Sequence, residues 1–188
     1  MASPPRDPDA LWLAFQAGDR LAQDALLGAY YEELRTIARR LLSGDSAAQI
    51  LQPTELANEA VLRMLKIEHI VWKDRVHFLA VAATVMRQAL LDEVRKARAL
   101  KRKAPTLVTR WPDSAREAID IEALDEALAA LREISRERAE LVEMRFFAGL
   151  TMEEIASVRG VSDRTVKRQW RAARAWLLAR LGGDAEEV

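Results

Sequence analysis

The side chains in this sequence most capable of chemistry are its cations. Arg164, Lys167, Arg168, Arg171 and Arg174 form one cluster. Arg87, Arg95, Lys96, Arg98, Lys101, Arg102 and Lys103 form a second, diluted only by Asp92 and Glu93. At such density these groups neutralise phosphates, and an Arg fork also matches guanine O6 and N7. Between the clusters the chain turns acidic, with Asp113, Glu117, Asp120, Glu122, Asp125 and Glu126. A formal net charge of zero therefore conceals two basic elements joined by an acidic connector, the pattern of two nucleic-acid contacts on one chain. Charge runs also make ordinary solvated helix faces, so the neighbouring residues have to decide.

Other chemistries find little support. There is no cysteine, which removes disulfides and thiolate metal sites. Only two histidines occur, His69 and His77, and His69 has no neighbour at metal-ligand spacing. No Ser/His/Asp set, phosphate-cradling glycine loop or carboxylate cluster suggests catalysis. The expectation is a protein that is not an enzyme and uses no cofactor or metal. No apolar run approaches the roughly 20 residues of a membrane helix, and the first residues lack a signal-peptide core. A cytoplasmic location and no membrane segment are expected.

The C-terminal cations sit in a readable frame. Thr151 and Glu154 form a capping box that starts one helix, and Gly160 is placed to end it. Ser162 then caps a second helix, with Asp163 favourable in its first turn. Ala156 is small where two helices cross, and Ile155, Val161, Val166 and Trp170 are expected to pack the pair. This is a helix-turn-helix, whose second helix enters the major groove. Arg164, Thr165, Lys167, Arg168 and Arg171 fall on its outer face. An ordinary helical hairpin would not need this conjunction of caps and spacing.

A chain of 188 residues has room for one large or two small domains. Helices are expected near Asp9–Ala17, Arg20–Leu42, from Pro53-Thr54 with Thr54 as N-cap, and Val76–Lys103. Their apolar stripes are Tyr30, Leu34, Ile37 and Leu41; Leu56, Ala60, Val61, Met64 and Leu65; and Leu79, Ala83, Met86, Leu90, Val94 and Ala97. From Ala104 the pattern fails at Pro105 and Pro112, and no strand is expected. A linker over 104–121 follows, with Leu107, Val108 and Trp111 as docking residues. Its acids, Asp113, Glu117 and Asp120, offer a mask for the basic faces. A second helical set begins near Ile121, with Leu124, Leu128, Leu131, Leu141, Val142 and Phe146. The fold class is all-α: two helical domains, 8–103 and 122–182.

Within that frame the residues resemble a known family. Glu143 to Ala156, followed by Val161 to Arg168 and Trp170 to Leu177, look like region 4 of extracytoplasmic-function (ECF) sigma factors of the sigma-70 family. Leu51 to Leu65 resembles region 2.2, and His77 to Ala83 with Met86 to Asp92 resembles regions 2.3 and 2.4. The nearest subgroup opens region 2.2 with Pro-Thr, here Pro53-Thr54. Together the matches span about residues 9–103 and 122–181.

The resemblance implies an alternative sigma factor that binds core RNA polymerase and directs promoter-specific initiation. Glu55, Asn58, Glu59 and Arg63 would dock on a coiled coil of the largest polymerase subunit. Trp72, Lys73, Arg75, His77 and Phe78, with Arg87, Arg95 and Arg98, would open and read the −10 element. The C-terminal helix would read the −35 element. Trp72 fits a base pocket and the core equally, and His77 fits a packed histidine better than a base reader. Two departures stand out. Family aromatics give way to Ala80, Val81, Ala82 and Ala83, which blurs the set that melts DNA. The two acids that often open region 2.2 are replaced by Pro53-Thr54-Glu55. Related groups with this replacement are switched on by a Ser/Thr kinase, so Thr54 is a phosphosite candidate as well as an N-cap. An anti-sigma factor is the other regulator the family implies. The competing reading is a stand-alone helix-turn-helix regulator that binds an operator without polymerase.

Overall fold

The computed structural model describes residues 8–42, 51–67, 72–100, 108–110 and 118–182. Helix α1 (Pro8–Gln16) and helix α2 (Arg20–Leu41) are joined by a turn at Gly18, whose φ is +81°. The Asp19 carboxylate accepts the Leu21 and Ala22 N–H groups and so starts α2. Leu34, Ile37 and Leu41 are buried along the expected stripe, while Tyr30 is partly covered.

Helix α3 (Pro53–Met64) has its cap two residues earlier than expected. Gln52 holds the cap position and Pro53 the first helical one, where its missing N–H costs nothing. The Glu55 carboxylate reaches back to the Gln52 N–H at 2.7 Å. Thr54 is therefore not the cap; it lies exposed in the first turn. Leu56, Ala60 and Met64 are buried, but Leu65, assigned to the inner face, lies past the helix and is exposed.

Helix α4 (Arg75–Leu100) is covered on two sides. The expected stripe is buried from Leu79 to Val94, with Ala97 only half-buried, and Phe78, Ala82, Arg87, Ala89 and Leu91 are buried as well. The run from Phe78 to Met86 is apolar nearly all round because it has neighbours nearly all round. At its start an aromatic nest forms. Trp12 stacks on Tyr30 at 5.7 Å, and Phe15 meets Trp72 edge-on at 5.4 Å. Phe78 touches both tryptophans, at 5.6 and 5.7 Å.

The expectation of no strand is overturned. Strands β1 (Val108–Arg110) and β2 (Ala118–Asp120) pair antiparallel, with Thr109 opposite Ile119. Three residues are too few for alternation to register in the sequence. The buried Thr109 and Ile119 nonetheless form the cross-strand pair such a ladder requires. Leu107, Trp111, Asp113, Glu117 and His69 lie outside the described residues, as do Lys101, Arg102 and Lys103.

Helix α5 (Ile121–Ile134) starts on Asp120, whose carboxylate accepts the Glu122 N–H at 2.8 Å. Helix α6 (Arg136–Val142) runs directly into a π-helical turn, Glu143–Phe147. Helix α7 (Met152–Arg159) and helix α8 (Asp163–Gly182) complete the described residues. Leu124, Leu128, Leu131, Leu141, Val142 and Phe146 are all buried as expected. The two helical sets do not stand apart. α4 packs against the π turn and α7, and one continuous apolar core runs from Trp12 to Leu177. Among the described residues no helix is long and apolar enough to cross a membrane.

Candidate nucleic-acid interface

The helix-turn-helix is built as its caps dictate. Thr151 Oγ1 accepts the Glu154 N–H at 3.1 Å, and the Glu154 carboxylate accepts the Thr151 N–H at 2.8 Å. That backbone hydrogen bond, ahead of Arg75, holds the Glu154 carboxyl below the usual carboxylate range. Gly160 closes α7 at φ +64°, and the Val161 N–H reaches back to the Ala156 carbonyl at 3.1 Å. Ser162 Oγ accepts the Thr165 N–H at 3.2 Å as α8 begins. Ile155, Ala156, Val166 and Trp170 are buried between the helices. Val161, expected there too, is 40% exposed because it belongs to the turn itself.

This frame leaves one face of α8 open to solvent. Arg164, Lys167, Arg168 and Arg171 are exposed, and Thr165 is half-exposed between them. Lys167 pairs with Asp163 one turn back at 2.6 Å, a surface contact a phosphate can displace. Arg171 Nε donates to the Lys167 carbonyl at 3.4 Å. Basic groups at the N-terminal half of a protruding second helix match the geometry of major-groove readout.

The first helical set presents a different picture. Of its named residues, Lys73, Arg95 and Arg98 are exposed. Trp72 and Phe78 belong to the aromatic nest, at 6% and 0% exposure, so Trp72 takes the second of the two roles its sequence allowed. His77 is half-buried, and burial, with Lys73 nearby, pushes its imidazole below the usual histidine value. Arg75 donates to Glu33 at 2.6 Å and to Glu154 of α7 at 2.8 Å, and these hydrogen bonds raise its already high pKa. Arg98 pairs with Glu122 of α5. Arg87 is buried between Asp125 of α5 and Glu143 of the π turn, with its guanidinium 5.2 Å from the Phe147 ring centroid. Burial pulls its pKa down, and Glu143 opposes that pull.

These carboxylate partners escaped the sequence reading, although one cue was present. Glu143, with Arg145, interrupts the otherwise apolar run Leu141 to Phe147, and an acid buried in such a run calls for a cation. The acids expected to mask the basic face were those of the linker. Asp120 caps α5, Asp113 and Glu117 lie outside the described residues, and the carboxylates that pair with Arg75, Arg87 and Arg98 from the second half of the chain are Glu154, Asp125, Glu143 and Glu122.

On α3, Glu55 and Asn58 are exposed while Glu59 and Arg63 are half-exposed. Arg63 bridges Glu59 and Asp92, both at 2.7 Å, and Asn58 accepts from the Tyr31 hydroxyl at 2.9 Å. Leu62 and Leu65 add exposed apolar surface beside them. No group of His, Asp or Glu among the described residues is arranged to hold a metal ion.

Comparison with known proteins places this geometry in context. The family model described as ECF sigma factor matches residues 10–183. The chain is also 27% identical over 163 residues to proteins named ECF RNA polymerase sigma factor SigL in Mycobacterium tuberculosis. These include the Erdman and H37Rv strains, and the match covers 82% of this chain and 88% of the relative.

Proposed function

The chain belongs to the ECF sigma factor family, and from that membership we propose that it seats on core RNA polymerase and gives it promoter specificity through two DNA-reading modules. An alternative sigma factor directing transcription initiation is what the family establishes; the division of labour among residues is our reading. Residues 8–103 serve as region 2, 104–121 as the connector and 122–182 as region 4. The observation that carries the reading is the open face of α8, where Arg164, Lys167, Arg168 and Arg171 project from a doubly capped helix-turn-helix. That face reads the −35 element, with Thr165 beside them.

Lys73, Arg95 and Arg98 already face solvent and contribute to the −10 contact, joined by Arg75 and Arg87 once their carboxylate partners leave. Glu55, Asn58, Glu59 and Arg63 form the polymerase-docking face, where fixed charges select a partner and its register. Core polymerase retained on immobilised protein supports this over a stand-alone operator binder, which needs no polymerase.

Thr54 sits on the same face, exposed in the first turn of α3. A phosphate there would add about −1.5 to −2 charges at a helix N-terminus, where the dipole favours them. It would supply the acid that Pro53-Thr54-Glu55 lacks, which makes a Ser/Thr kinase a partner in this reading. Transcription with core enzyme by the wild type, Thr54→Ala and Thr54→Glu tests the switch. Thr54→Glu is expected to exceed the other two, and equal activity in all three removes the phosphosite.

A further inference from the structure

One stripe of α4 carries short side chains. Ala80, Val81, Thr84 and Val85 stand three or four residues apart, so they share a face. Opposite them lie Met144 of the π turn and Val158 of α7. The short side chains leave the gap between these walls unfilled, and a cleft of about 610 Å³ opens there. Val81, Val85 and Met144 are half-buried and rest on the core, while Val158 is 45% exposed. Concave sites of this size, apolar with a few polar groups at the edge, suit small molecules rather than flat macromolecular surfaces.

The polar groups of the cleft set the sign of what it holds. Lys73 stands exposed just before α4, Arg136 opens α6 and Arg159 ends α7. Two acids, Glu140 and Glu143, also line it. Glu143 is already matched by Arg87 at 2.9 Å and Arg132 at 2.7 Å. Glu140 meets Arg136 at 2.8 Å in an exposed pair that an incoming anion can displace. Arg159 is fixed in the wall, donating to the Glu137 carbonyl at 2.6 Å. Burial, with Lys73 nearby, pushes the His77 imidazole below its usual value, so near neutral pH it adds ring surface rather than charge. The lining is therefore apolar at its floor and positive at its rim.

We propose that this cleft is a binding site for a small amphipathic acid, a carboxylate on an apolar body. The body lies on the α4 stripe against Met144 and Val158, and the carboxylate meets the rim cations, where charge-assisted hydrogen bonds are strongest. A bare inorganic anion makes no use of the stripe, and a neutral apolar molecule makes no use of the rim. The site shares Lys73 with the proposed −10 contact, but it goes beyond the sigma-factor reading and its test does not depend on it.

The full chain is titrated with 1-anilinonaphthalene-8-sulfonate, an amphipathic anion that fluoresces when desolvated. Octanoate, octan-1-ol and inorganic phosphate then compete for it. One saturable site is expected, from which octanoate displaces the dye at least ~10-fold more effectively than either of the others. Equal displacement by octanoate and octan-1-ol, or by octanoate and phosphate, overturns the proposed class, and the lack of a saturable site overturns the proposal. Lys73→Gln is expected to weaken octanoate at least ~5-fold, the loss of one partly exposed charge-assisted contact, and to leave octan-1-ol unchanged. Ala80→Trp fills the floor and is expected to abolish octanoate binding; unchanged affinity in the folded variant overturns the site. If that variant fails to fold by circular dichroism, Val158→Trp fills the cleft from its exposed wall: loss of octanoate binding supports the site and unchanged binding overturns it. All of this is read on the free chain without polymerase or DNA. Failure here leaves the sigma-factor reading standing, and failure to direct transcription leaves the site standing.

Discussion

A guanidinium at 3% exposure, such as Arg87, would cost several kcal/mol if left without a counter-charge. Asp125 and Glu143 meet that demand, and the Phe147 ring adds a cation–π contact. Position along the helix suggested a DNA role for this residue; its partners could not be read because they lie far away in sequence. Trp72 shows the same limit. Its type suits a base pocket or a core, and only the neighbours Phe15 and Phe78 decide. Trp72→Ala is expected to cost about 3–5 kcal/mol in urea denaturation, as deletion of a packed aromatic does. A loss below about 1 kcal/mol, within the range of ordinary surface substitutions, would place the indole outside the core.

At the scale of elements, the helices were legible because their ends and faces are written locally. Thr151, Glu154, Gly160 and Ser162 do at each terminus what their side chains or backbone allow. Leu34, Ile37 and Leu41 line one stripe. The hairpin was not legible, because its strands are three residues long and their stability comes from Thr109 against Ile119. Nor was the π turn, beside which Arg40 crosses from α2 to the Ala148 carbonyl. The α3 face yields a prediction at this scale. Asn58→Ala with Leu62→Ser removes a polar and an apolar contact from an exposed face while leaving Leu56, Ala60 and Met64 in place. Retention of core polymerase should fall at least ~10-fold, since a few residues carry most interface energy. The melting temperature should move little. Full retention would move the docking face elsewhere.

The whole molecule combines two charge patterns that cancel in the sum and matter in their placement. Arg164, Lys167, Arg168 and Arg171 of α8 face outward, while Arg75, Arg87 and Arg98 of α4 meet acids from the opposite half of the chain. Composition shows only a net charge of zero; the fold decides which cations are free to meet DNA. Two modules on one chain also gain from effective concentration once both can engage. The most direct measurement is in vitro transcription on a fragmented genomic template with purified core polymerase, followed by sequencing of RNA 5′ ends. The account predicts discrete start sites that appear only when this chain is added and that fade when Arg164 and Arg168 are both replaced by alanine. Start sites indistinguishable from those of core enzyme alone would contradict it.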